Sequence, residues 1–243
     1  MEILDATVIT TALPVIAADF GIPAAHLSIG VSAYLVAVTL FIPLSGYVAD
    51  RFGARTIFIA AIGVFTLASV LCGLSTTLVE FTLSRILQGI GGAMMVPVGR
   101  LVVLRDLPKE KLVKTVAIIT WPALSAPLLG PVLGGYIATH FSWQWIFYMN
   151  IPLGLIAIIA SAYLLQNTKG KVSIFDVKGF LLTGVGFALF MAGIELLASN
   201  AEKIMESATI ISVGFAGLLL AMWHIKTAKN PLFSFDAMQH RTF

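Results

Sequence analysis

The feature that most limits how this chain can fold is a series of eight apolar runs. Each is close to the ~20 residues a helix needs to cross a hydrocarbon core, and charge, Pro or Gly separates them. The runs are Ile3 to Phe20, Leu27 to Val48, Thr56 to Leu78, Phe81 to Leu104, Thr115 to Thr139, Trp145 to Leu165, Gly179 to Leu197 and Ile210 to Ile225. Lipid offers the backbone no hydrogen-bond partners, so runs of this length must satisfy their amides internally, as helices do. The expected fold class is therefore an all-α polytopic membrane protein. Composition points the same way: 58% of residues are apolar and 11% charged, against about a quarter charged in a soluble domain. The 21 glycines, spread along the whole chain, suit close helix contacts. A cleaved signal peptide is not expected for the first run, because Glu2 and Asp5 stand where a basic segment would and Pro14 lies in the second half.

The loops between the runs sort the basic residues to one side. That side carries Arg51 and Arg55, then Arg100, Arg105, Lys109, Lys111 and Lys114, then Lys169, Lys171 and Lys178, then Lys226, Lys229 and Arg241, whereas the other has only Lys203. The positive-inside rule makes the richer side cytoplasmic, and an even number of spans places both termini there. Split among short loops, these charges form no continuous basic groove with interleaved aromatics, so the net charge of +3 signals topology and not a nucleic-acid partner. Cys72 is the single cysteine and reads as an apolar packing residue. His26, His140, His224 and His240 fall in loops or at span ends without ligand spacing, so no metal site is expected. Nor is an enzyme expected: no G-x-S-x-G occurs, and Ser75 has no histidine at membrane depth.

Arg85, inside the fourth run, carries the most chemical information. A guanidinium in hydrocarbon costs about 2.5 kcal/mol or more unless it is paired or wetted, so it needs an acid. Two acids lie at membrane depth, Asp5 in the first run and Glu195 near the outer end of the seventh; Asp5, deeper in its span, is the better partner. Gln88 lies one turn from Arg85 on the same face, so Asp5, Arg85 and Gln88 are expected to line one polar cavity. A carboxyl placed between desolvation and a permanent cation is switchable by small movements, which is what proton coupling requires. A salt bridge that merely holds two helices together is the structural alternative.

Two further stretches stand out. Gly46 to Arg55, including Asp50, Arg51 and Gly53, follows the second run and packs one acid, two bases and two glycines into what reads as a tight cytoplasmic turn. It is expected to act as a conformational latch, Asp50 meeting a neighbouring helix end and Arg51 or Arg55 meeting an acid. In the fifth run, Pro122, Pro127, Gly130, Pro131, Gly134 and Gly135 predict a bent helix, with a G-x-x-x-G face at Gly130 and Gly134 for close approach of another helix.

With these motifs in place, the chain resembles the major facilitator superfamily, and within it the fourteen-helix drug:proton antiporters. Leu4 to Val8 with Ala12 to Pro14 is similar to the family's first-helix motif, Gly46 to Arg55 to its loop between helices two and three, and Leu83 to Gly92 to its fourth-helix motif. Gly130 to Gly135 resembles the antiporter motif, with Ala126 where Gly usually begins it. Trp145, Ile146 and Phe147 with Asn150, Pro152 and Gly154 resemble the sixth-helix signature, with Gln144 where a base is common. Gly91 to Leu101 is most similar to the MdtD-type multidrug exporters.

The resemblance implies an amino-terminal six-helix bundle of two inverted three-helix repeats over residues 1–165, with a shortened first helix. It further implies an inserted helix pair over 166–227 and a cytoplasmic segment, 228–243, leading to a second bundle absent from this chain. By the same resemblance the function is proton-coupled export of amphipathic drugs or toxic compounds across a bacterial-type inner membrane, with protons as coupling ion and no cofactor. The alternative is a half-bundle membrane module, a sensor or assembly partner, that does no transport of its own.

Overall fold

A computed structural model describes residues 1–105, 108–170, 174–199 and 203–228, and among these every regular element is a helix. The helices are α1 (Glu2–Asp19), α2 (Ala24–Phe52), α3 (Ala54–Leu74), α4 (Leu78–Leu104), α5 (Lys109–His140), α6 (Trp145–Tyr148), α7 (Asn150–Leu164), α8 (Val177–Ser199) and α9 (Ile204–Thr227). Lys171 of the basic loops, and all of the expected cytoplasmic segment after Ala228, lie outside the described residues.

Among the described residues, with α6 and α7 taken as one span, seven helices are long and apolar enough to cross a membrane. The eighth expected span, α1, is 18 residues long and includes Glu2, Asp5 and Asp19. One face of it is enclosed, with Val8, Ile9, Ala12 and Ile16 fully buried against α2, α5 and α6, while Val15 is exposed. Of its three acids only Asp5 is buried, on the enclosed face, whereas Glu2 and Asp19 stand at the two ends of the helix.

Most helices overrun the apolar runs that predict them. Helix α2 continues to Phe52 and α5 starts at Lys109, because a helix does not stop where hydrocarbon ends. The sixth run is interrupted at Met149, whose backbone stays in the right-handed helical region. Pro152, lacking an N–H, cannot donate to the Tyr148 carbonyl one turn before it, which accounts for a break at that point. Helix α5 is continuous and includes all three of its prolines.

Helices α1 to α7 form a connected bundle in which α4 lies against both α2 and α3. Small residues permit this: a Cβ at Gly89 would come within 2.7 Å of the Tyr34 carbonyl, and one at Gly91 within 2.7 Å of the Phe65 amide. Helices α8 and α9 pack on each other and reach the bundle through α2.

Candidate proton-coupling site

Helix α4 places the central cation. Thr77 caps its start, accepting the Glu80 N–H at 3.2 Å, while the Glu80 carboxylate accepts the Thr76 N–H at 2.9 Å. From that cap, Arg85, Gln88 and Gly92 fall three and four residues apart on the buried face.

Arg85 and Asp5 meet at the centre of the bundle. Arg85 Nη1 lies 2.7 Å from Asp5 Oδ2, with both side chains fully enclosed. The other carboxylate oxygen, Asp5 Oδ1, accepts from Gln88 Nε2 at 3.0 Å and from Asn150 Nδ2 at 2.9 Å. The same two amides also donate to Ser69 Oγ, at 2.9 and 3.2 Å, and the Ser69 hydroxyl donates to the Phe65 carbonyl. Gln88 Oε1 accepts from Arg85 Nη1 and lies 3.8 Å from the Cys72 sulfur. The ring of Tyr34 on α2 faces the guanidinium, 4.1 Å from its central carbon. The Asp5 carboxylate thus ties α1 to α4 and α7, and the shared amides extend the network to Ser69 on α3, with α2 alongside.

The cage is fully occluded but not fully satisfied. Arg85 Nε and Nη2, the Tyr34 hydroxyl and Glu2 Oε2 are buried with no hydrogen-bond partner. Toward the far end of α1, the rings of Phe20, Phe81, Trp143 and Phe147 pack edge to face, and Trp143 Nε1 donates to Asp19 Oδ2 at 2.8 Å. Sequence reasoning names Asp5, Arg85 and Gln88 but misses Ser69 and Tyr34, neutral residues that leave no mark in an apolar run. Asn150 carries a signal, an amide inside a span, without indicating its partner.

At the other end of the bundle, the stretch Gly46 to Arg55 is mostly helix and not a turn. Gly46, Asp50 and Arg51 belong to α2, and only Gly53 separates α2 from α3. Its φ of +101° is one that side-chain-bearing residues rarely adopt, and Asn167 packs where its Cβ would be. Gly46, by contrast, has open space beside it. Asp50 pairs with Arg105 at the end of α4, 2.7 Å away. The Asp50 carbonyl accepts from Gly170, and the Ala54 amide donates to the Thr168 carbonyl, so the chain leaving α7 is laced to this junction. Among the described residues neither base pairs with an acid: Arg51 donates to the Tyr47 hydroxyl at 2.8 Å, and Arg55 reaches the Ala162 and Leu165 carbonyls at the end of α7. Free carbonyls at a helix C-terminus satisfy a cation without a carboxylate.

Helix α5 uses its glycines on α1. A Cβ at Gly130 would collide with the Thr7 hydroxyl, and one at Gly134 with the Thr11 hydroxyl and the Val8 carbonyl. The Thr7 hydroxyl also donates across the gap to the Ala126 carbonyl at 3.3 Å. Gly135 points into open space. Pro127 and Pro131 lie on the same helix between these contacts.

The model of the Major Facilitator Superfamily matches residues 1–225, nearly the whole chain. The chain belongs to that superfamily. Three relatives are each 40% identical over all 243 residues: the MdtD proteins of Escherichia coli strain K12 / DH10B, of Escherichia coli O139:H28 and of Shigella boydii serotype 18, whose names refer to multidrug resistance. The chain spans about half, 52%, of the length of these relatives. As a superfamily member it is a multi-pass membrane protein of a transporter family, not of an enzyme family.

Proposed function

We propose that this chain is the ion-coupling half of a proton-driven exporter of amphipathic drugs or toxic compounds. The observation that carries the reading is Asp5, a carboxylate enclosed in the bundle that accepts from Arg85, Gln88 and Asn150 on two other helices. Such a node is worth building only where it is used, since a buried ion pair adds little stability over a well-packed apolar core. Three polar groups around it lack partners, so alternative arrangements of the cage lie close in energy. In this reading a proton and the Arg85 guanidinium compete for Asp5, and a helix displacement or an arriving substrate decides between them. Gln88 holds the orientation of both.

The remaining motifs take their places around that exchange. Asp50, between Gly46 and Gly53, latches α2 to α4 through Arg105, while Arg55 holds the end of α7 and Arg51 braces the last turn of α2 through Tyr47. Gly130 and Gly134 seat α5 on α1 next to Thr7, two residues from Asp5, and the helix that carries them, with Pro127, Pro131 and Gly135, transmits movement to α1. The membrane is a bacterial-type inner membrane, with both termini cytoplasmic. Rocking of one bundle against another gives alternating access in this family, and residues 1–165 form one such bundle, with 166–227 as an accessory pair. Because the relatives are about twice as long, a second reading is a membrane module that performs no transport by itself.

The test is efflux driven by a pH gradient in everted vesicles from cells expressing the gene. Asp5→Asn is expected to abolish pH-driven efflux of an amphipathic dye while membrane insertion is kept, and Arg85→Ala is expected to fail likewise. Parental efflux in Asp5→Asn rejects the proton-carrying role; insertion without efflux in the parent chain favours the module.

A further inference from the structure

We propose that the cleft between α2 and α8 seats a phospholipid with a primary ammonium headgroup, its ammonium on Glu195 and one acyl chain lying along α2. A cavity of about 460 Å³ opens there, lined by apolar side chains such as Ile29, Val36, Leu40, Phe41, Ala188 and Met191. Its only polar lining residues are Ser32 and Glu195. The volume is in the range of about 300–1,000 Å³ that holds small ligands.

Glu195 makes the cleft more than a gap between helices. Its two carboxylate oxygens accept from the hydroxyls of Ser28 and Ser32, the second at 2.6 Å. An ionised carboxylate has about four acceptor positions, so two remain open. Among the described residues no Lys, Arg or His forms an ion pair with it. Two hydroxyls do not neutralise a carboxylate at the edge of a hydrocarbon core, where an unpaired charge is costly. A compact cation completes the site.

Placement argues for a lipid. Glu195 lies one turn from the end of α8, and Ser28 one turn from the start of α2, at the ends of these helices opposite Arg51 and its basic neighbours. This is headgroup depth. From Ile29 to Phe41 the cleft follows α2 for 12 residues, about 18 Å at 1.5 Å per residue, comparable with the ~15 Å of hydrocarbon in one leaflet. An ammonium at Glu195 therefore leaves an acyl chain pointing down the groove toward the bilayer centre. This seat lies outside the Asp5 cage and does not depend on the export reading.

Native mass spectrometry tests it on the full chain, released from micelles holding equal phosphatidylethanolamine and phosphatidylcholine with the same acyl chains. The parent is expected to retain phosphatidylethanolamine about fivefold over phosphatidylcholine, the scale of one partly exposed ion pair. Glu195→Gln brings the ratio to one. Ala188→Phe fills the groove without touching the carboxylate and loses both adducts, which keeps the test decisive should Glu195→Gln not fold. Asp5→Asn retains the preference, separating this site from the transport reading. Equal retention of the two lipids by the parent, or full retention by Ala188→Phe, overturns the proposal. Displacement of the lipid by tetraphenylphosphonium in a Glu195-dependent manner also overturns it, making the cleft a seat for a free lipophilic cation.

Discussion

At the scale of single residues, cost is what makes a position readable. A guanidinium or carboxylate in hydrocarbon is so unfavourable that its presence alone demands a partner, and Arg85 and Asp5 are 2.7 Å apart in the structure. Gln88 follows from helix geometry. The rest of the cage is silent in sequence because a hydroxyl or a ring inside a span costs little: Ser69 and Tyr34 resemble dozens of other small or aromatic residues in apolar runs. Asn150 gives this account a direct check. Its amide is one of two donors to Asp5 Oδ1, so Asn150→Ala removes a hydrogen bond to a charged group and is expected to cost about 1.5–3 kcal/mol. Thermal unfolding in detergent measures this; a melting point equal to the parent's removes Asn150 from the cage.

At the scale of helices, apolar periodicity locates the elements but misplaces their ends and hides which faces meet. Asp50 and Arg51 read as loop residues because they are charged, yet they form the last turn of α2, where solvated side chains are no obstacle to helix. The fifth run is one helix through its prolines, and its glycines select α1 as neighbour, a choice that the apolar pattern does not reveal. Gly134 and Gly135 are adjacent and indistinguishable in sequence, but their surroundings differ. A methyl group at Gly134 meets Thr11 and the Val8 carbonyl, whereas one at Gly135 meets nothing within 4 Å. Gly134→Ala is accordingly expected to destabilise by about 1–3 kcal/mol through overpacking, and Gly135→Ala to be neutral or slightly stabilising. Equal melting points for the two variants contradict the α1–α5 contact.

At the scale of the whole molecule, sequence conveys fold class well, since bilayer thickness fixes helix length, and loop charge gives an expected sidedness. It conveys the docking of α8 and α9 poorly, because helices in lipid associate by shape and scattered hydrogen bonds, here Ser28 and Ser32 on Glu195, and not by apolar burial. Orientation can be checked through the buried state of Cys72, which leaves the chain without an accessible thiol. Thr76→Cys is expected to react with an impermeant maleimide in intact cells, and Lys226→Cys only after permeabilisation; the reverse pattern inverts the topology. The central claim is that Asp5 and Arg85 act as one coupled unit in the core, and a double-mutant cycle on unfolding free energy tests it most directly. Asp5→Asn and Arg85→Gln are each expected to cost about 3–5 kcal/mol by stranding a buried charge, and the double variant far less than their sum. Costs that add to within about 0.5 kcal/mol would show two independent residues and contradict the account.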